Sequence, residues 1–131
     1  MTDFEKVRDY LIELEYTIVH ENPEEELFVV ENEEAGINNL IIDCEEDILV
    51  IEQLIMELPE NKGDVYKELL IKNREIVHGA FALDEHGEKL IFRDTLQLEN
   101  LDLNELLGTL NSLELLLSEF GSRLIEISKL K

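Results

Sequence analysis

The stretch from Leu69 to Leu107 constrains the fold most, because helix, hairpin and helix follow one another there with their punctuation intact. Asp64 is placed to cap a helix whose positions Val65, Leu69, Leu70, Asn73, Ile76 and Val77 recur at helical spacing, and His78-Gly79 supplies a left-handed stop. A hairpin follows: Phe81 and Leu83 alternate with Ala80 and Ala82, Asp84-Glu85-His86-Gly87 carries turn chemistry, and Leu90, Phe92, Leu96 and Leu98 alternate on the return. Asp102 and Glu105 then form a capping box that opens the last helix. The arrangement specifies architecture and holds no catalytic motif.

The N-terminal half reads as one helix and a run of strands. Thr2 and Glu5 make a second capping box, and Phe4, Val7, Leu11 and Leu14 share one face of a helix that runs to about Glu15. Tyr16 to His20 turns to strand chemistry and stops at Asn22-Pro23; Leu27 to Glu31 and Leu40 to Cys44 are further strands, separated by the loop Asn32 to Gly36. Ile48 to Leu58 fits either period. Its β-branched content, the turn Glu45-Glu46-Asp47 before it and Pro59 after it favour a strand.

That strand is apolar on both faces. Ile48, Val50, Leu54, Met56 and Leu58 occupy one side and Leu49, Ile51 and Ile55 the other, so it needs two covers. With helices on one side, the second cover comes from elsewhere in the chain, a second subunit or a ligand segment. Leu49, Ile51 and Ile55, with Phe28 and Val30 on the second strand, are therefore the candidate partner-binding residues. In the last helix Leu103, Leu106, Leu110, Leu113, Leu117, Phe120, Leu124 and Ile127 form a stripe widened by Leu107, Leu116 and Ile125, which suits a helix lying across a sheet better than a coiled coil. Gly121 is expected to end or bend it, with Arg123 to Lys131 as an appended turn or helix.

At 131 residues the chain is read as a single domain, 1–131, large enough to bury roughly 68–70% of its unfolded surface. Its formal net charge is −21, a field that repels phosphate backbones and anionic headgroups alike, so neither nucleic acid nor membrane is an expected partner. The charge is uneven: residues 1–60 hold 19 acids and 2 bases, residues 61–131 hold 13 acids and 9 bases. The lone Cys44 reads as a reduced, structural thiol, and the start Met1-Thr2-Asp3-Phe4-Glu5-Lys6 has no signal-peptide pattern, so a cytoplasmic location is expected.

Candidate chemistry is sparse. His20, His78 and His86 have no ligand spacing, His78 reading instead as a helix-end imidazole, and the carboxylates at 24–26 and 43–47 lack the glycine and distal glutamate of a calcium loop. The glycines form no phosphate cradle and the serines no nucleophile elbow, so no cofactor, metal or catalytic residue is assigned and the chain is not read as an enzyme. Two polar residues stand on apolar faces. Asn73 reads as a buried amide satisfying the backbone of a neighbouring strand or loop, and Asp94, beside Arg93, as a bulge that flips the alternation.

The text Leu69-Leu70-Ile71-Lys72-Asn73, then Gly79-Ala80-Phe81-Ala82-Leu83-Asp84, Gly87, the Leu90 strand and Leu101-Asp102 resembles the type III secretion chaperone family, the CesT/Tir-chaperone group, together with the related YbjN-like proteins. The resemblance implies an α+β fold in the order α-β-β-β-β-α-β-β-α, with helices on one side of a twisted antiparallel sheet. It also implies a homodimer that holds an extended segment of a client polypeptide without ATP, through apolar patches and edge-strand pairing. Two alternatives stand beside it: a YbjN-like regulatory or assembly protein with no secretion client, and a small-molecule sensor, which needs a closed apolar cavity.

Overall fold

The computed structural model describes residues 1–60 and 62–130. Three helices, α1 (Asp3–Glu13), α2 (Val65–Asn73) and α3 (Leu103–Ser128), accompany six strands: β1 (Thr17–Asn22), β2 (Leu27–Asn32), β3 (Ile37–Glu45), β4 (Ile48–Glu57), β5 (Ala80–Leu83) and β6 (Lys89–Gln97). The element order is the one expected from the sequence, and the Ile48 segment is a strand. All pairings are antiparallel in the order β1-β2-β3-β4-β6-β5. β6 thus lies against β4, and β5 is left at the sheet's edge.

Local chemistry explains the starts of the helices. Thr2 caps α1 by accepting from Glu5 N at 3.1 Å, and Asp102 caps α3 by accepting from Glu105 N at 2.8 Å. Asp64 precedes α2 without a side-chain capping bond. α2 also stops at Asn73, short of the Ile76-Val77-His78 end that the spacing predicts. The Asn73 carboxamide is turned onto β5, and the backbone goes on through Glu75 N to Lys72 O and Ile76 N to Asn73 O, turns that leave Val77 exposed. His78 consequently lies in the connection to β5, not at a helix end.

α3 runs unbroken through Gly121, contrary to the expected stop. Leu124 and Ile127 beyond the glycine stay buried on the stripe begun by Leu106, Leu110 and Leu113, and Arg123 clamps Glu68 of α2 with two bonds of 2.6 and 2.7 Å. Lys131, the end of the expected appended segment, lies outside the described residues. Asp94 makes no bulge: it pairs opposite Ile51 and accepts from the buried Thr109 hydroxyl at 2.7 Å. The register shifts fall between Ile18 and His20, Val30 and Asn32, and Leu54 and Met56.

The core forms between one face of the sheet and the helices. Phe28, Val30, Leu40, Ile42, Leu49, Ile51, Leu90 and Phe92 meet Phe4, Val7 and Leu11 of α1 and Leu106, Leu110 and Leu113 of α3. Phe4 stacks on Phe28 with ring centroids 4.4 Å apart. The opposite face carries Val29, Ile41, Val50, Leu54 and Ile91, and Val50, although buried, stands outside that core cluster.

Candidate partner-binding surfaces

Cross-strand register decides which face of β4 meets the helices. Leu49 lies opposite Cys44 and Leu96, and Ile51 opposite Ile42 and Asp94, so both fall in the layer that α3 covers. Leu49, Ile51, Phe28 and Val30 are fully buried inside this chain, where each contributes about 1.5–3 kcal/mol by leaving water. Ile55 is half-buried against the same core. Past the register shift Met56 and Leu58, expected on the side of Val50 and Leu54, pack against the core as Ile55 does. The helix-free side is that of Val50 and Leu54, the latter 54% exposed.

An apolar concavity ringed by exposed hydrophobic side chains lies between α2 and the edge strand β5. Tyr66, Leu69 and Leu70 of α2 face Phe81, Ala82 and Leu83 across a groove of about 420 Å³ that opens to the surface. Leu70 is 69% exposed, and Ile71, Tyr66 and Leu83 are exposed around it. A signal for this surface is present in the sequence as the run Leu69-Leu70-Ile71, which a single helix cannot bury on one stripe. α2 is also the one helix whose lysines, Lys67 and Lys72, outnumber its acids.

Asn73 sits at the floor of that groove and closes the strand edge. Its Oδ1 accepts from Phe81 N at 2.6 Å and its Nδ2 donates to Phe81 O at 3.2 Å, as the peptide group of a seventh strand would. The sequence reading of this residue as a satisfier of strand backbone agrees with the geometry. Gly79, with φ of 86°, lets the chain pass so close to the Phe92 ring that a Cβ there would clash.

The other sheet edge, β1, is bulged at Val19 and joined to α1 by Arg8, whose guanidinium donates two bonds of 2.9 and 2.7 Å to Glu21. Ile12 of α1 and Val19 are exposed there. On the helix-free face Glu52 accepts from Arg93 at 2.9 Å. Burial pushes the Asp43 carboxyl up to about 6, helped by its hydrogen bond with Glu45 and by the charges of Glu45, Glu25 and Glu52. Burial also pushes the Cys44 thiol up to about 12. Among the described residues, no group of three His, Cys, Asp or Glu side chains is placed to hold a metal, and no helix is long and apolar enough to cross a membrane.

The CesT_Tir_1 family model matches residues 1–130. No curated protein matches the sequence. Among solved structures, the chain is similar to YbjN from E. coli, at 12% identity over 92% of each chain with a TM-score of 0.70. The HopA1-SchA chaperone-effector complex matches at 12% identity over 97% of this chain and 94% of that one, TM-score 0.61. The Yersinia pestis type III secretion chaperone SycH, in complex with a stable fragment of YscM2, matches at 16% identity over 97% and 100%, TM-score 0.60. At these identities the likeness is one of fold.

Proposed function

The chain belongs to the CesT_Tir_1 family, and from that premise we propose that it is a non-enzymatic homodimeric module that holds an extended segment of a partner polypeptide without ATP. The observation that carries the reading is the exposed apolar groove between α2 and β5, which is built on the least acidic helix. Two copies of a chain of charge −21 meet with least repulsion where acids and bases are nearly balanced, and residues 61–131 are that half. The groove therefore takes a second copy. Asn73 already occupies the backbone of Phe81, so the copies pack through Leu70, Tyr66 and Leu83 side chains and not by adding strand to strand at that residue.

The client then faces the N-terminal half, whose 19 acids against 2 bases steer a basic segment toward the edge of β1. SchA and SycH are described in complexes with an effector and with a protein fragment, which supports a polypeptide as the partner here. The same field disfavours nucleic acid and anionic membrane, and a free buried Cys44 suits a reducing cytoplasm. The small-molecule sensor requires an enclosed apolar cavity, whereas the α2–β5 groove opens to the surface.

Affinity capture from native lysate, followed by limited proteolysis of the complex, tests the reading. The expected result is one polypeptide whose protected segment is short and basic, held equally with and without ATP and released as salt rises. Recovery of nucleic acid, or release by ATP, contradicts it.

A further inference from the structure

α2 is docked through fewer buried side chains than the other helices, and the way it is held makes it a flap over its own groove. Over nine residues it buries Val65 and Leu69, whereas α1 buries Phe4, Val7 and Leu11, and α3 buries seven residues. Its other large apolar side chains, Tyr66, Leu70 and Ile71, stay exposed. A helix this short does not sustain its own hydrogen bonds in water, so α2 keeps its form only while it is docked.

The two ends are held differently. At the far end Ser112 of α3 donates to His78 O at 2.7 Å and accepts from His78 N at 3.2 Å, and Gly79 passes against the Phe92 ring. At the near end Asp64 makes no side-chain capping bond, and a Cβ on Gly63 would meet nothing within 4 Å. Two contacts with α3, in antiparallel order, fasten the helix between these ends. Arg123 donates two bonds to the Glu68 carboxylate, at 2.6 and 2.7 Å, and Lys72 Nζ stands 5.1 Å from the centre of the Phe120 ring. Phe120 also lies 6.1 Å from the Phe81 ring, so α2, α3 and the edge strand meet at it. Asn73 ties the last turn to Phe81.

We propose that α2 is a flap hinged at its His78 end and fastened near its free end by the Glu68–Arg123 clamp, and that its release dismantles the α2–β5 groove. The inference rests on the reading of that groove as the meeting place of two copies, and adds its regulation. Lifting α2 withdraws Tyr66, Leu69 and Leu70 from one wall and takes Asn73 off the strand edge, so only the fastened state offers the groove. A second copy seated there holds the flap shut by mass action. Arg123, which lines no part of the groove, acts as a positioning residue for it.

The test is amide hydrogen exchange of the full chain, followed by nuclear magnetic resonance. It is run first in Leu70→Asp, which takes the second copy away and leaves the flap by itself. Arg123→Gln in that background is expected to speed exchange of the amides of residues 69–73 and of Phe81 about fivefold, the upper end for an exposed ion pair, and to leave those of Ile42 and Ile51 unchanged. Glu68→Gln is expected to do the same, and the double variant no more than either single one, because all three lose one interaction. In the natural chain the same amides are expected to slow further as protein concentration rises. Unchanged exchange, acceleration spread evenly over the sheet, or additive effects of the two substitutions overturn the flap. Exchange that is independent of concentration in the natural chain counts against the dimer alone, while the local response to Arg123→Gln continues to support the flap.

Discussion

The Asn73 carboxamide holds both the N–H and the C=O of Phe81, at 2.6 and 3.2 Å, and so stands in for a strand at the edge of the sheet. An unpaired edge such as Ala80-Phe81-Ala82-Leu83, which has no charge or proline, is a template for uncontrolled pairing. Blocking it with a side chain leaves the α2–β5 groove presenting side chains at that point, not free backbone.

Asn73→Ala is therefore expected to cost about 2 kcal/mol, since two half-buried backbone groups lose their partners. It should also produce concentration-dependent association beyond any dimer. Thermal melts and sizing at several concentrations check both effects, and an unchanged melting temperature contradicts the role given to this amide.

Ile51→Asp places a carboxylate among fully buried core side chains beneath α3. The cost is expected to reach several kcal/mol, enough to unfold a domain of ordinary stability. Circular dichroism should show loss of the cooperative melt. A folded Ile51→Asp variant would mean that this side of β4 faces a partner and not the chain's own helices.

Asp43 gives stability a defined pH dependence. Its carboxyl is raised to about 6 in the fold, so the folded state binds a proton more readily than the unfolded one. The stability that this proton brings is fully present below the unfolded value near 4 and is lost as pH rises through about 6. Asp43→Asn is expected to raise the melting temperature at about pH 7.5 and to change it little at about pH 4. Equal effects at both pH values contradict the assignment.

Cys44 is buried and its thiol is pushed up to about 12, so the thiolate that reacts with disulfide reagents is scarce in the fold. Labelling by a thiol reagent at neutral pH should be slow in native protein and rapid in denaturant. Rapid native labelling would place Cys44 nearer the surface than the sheet allows.

Much of this was legible in the sequence, because the punctuation is local. Thr2, Asp102, Pro59 and Asp84-Gly87 each act on the backbone within a few residues, and they mark the order of elements. The expected role of Asn73 was legible for the same reason, as a polar residue on an apolar helical face. What was not legible depends on partners distant in the chain. Which side of β4 meets the helices follows from its pairing with β6, some 40 residues later, which sets Ile51 opposite Asp94. The early end of α2 follows from the contact of Asn73 with Phe81. The continuation of α3 through Gly121 follows from the Arg123 clamp on Glu68 and the burial of Leu124 and Ile127, none of which a local stop signal reveals.

The central claim is that the chain meets a second copy through the groove between α2 and β5, and Leu70→Asp addresses it most directly. Leu70 is 69% exposed, so the aspartate remains hydrated in the isolated chain and the fold should survive. Light scattering coupled to size exclusion is expected to give about twice 15.2 kDa for the natural sequence and the single-chain mass for Leu70→Asp, with matching circular dichroism spectra. A natural chain that runs as a monomer, or a Leu70→Asp variant that stays dimeric, contradicts the account.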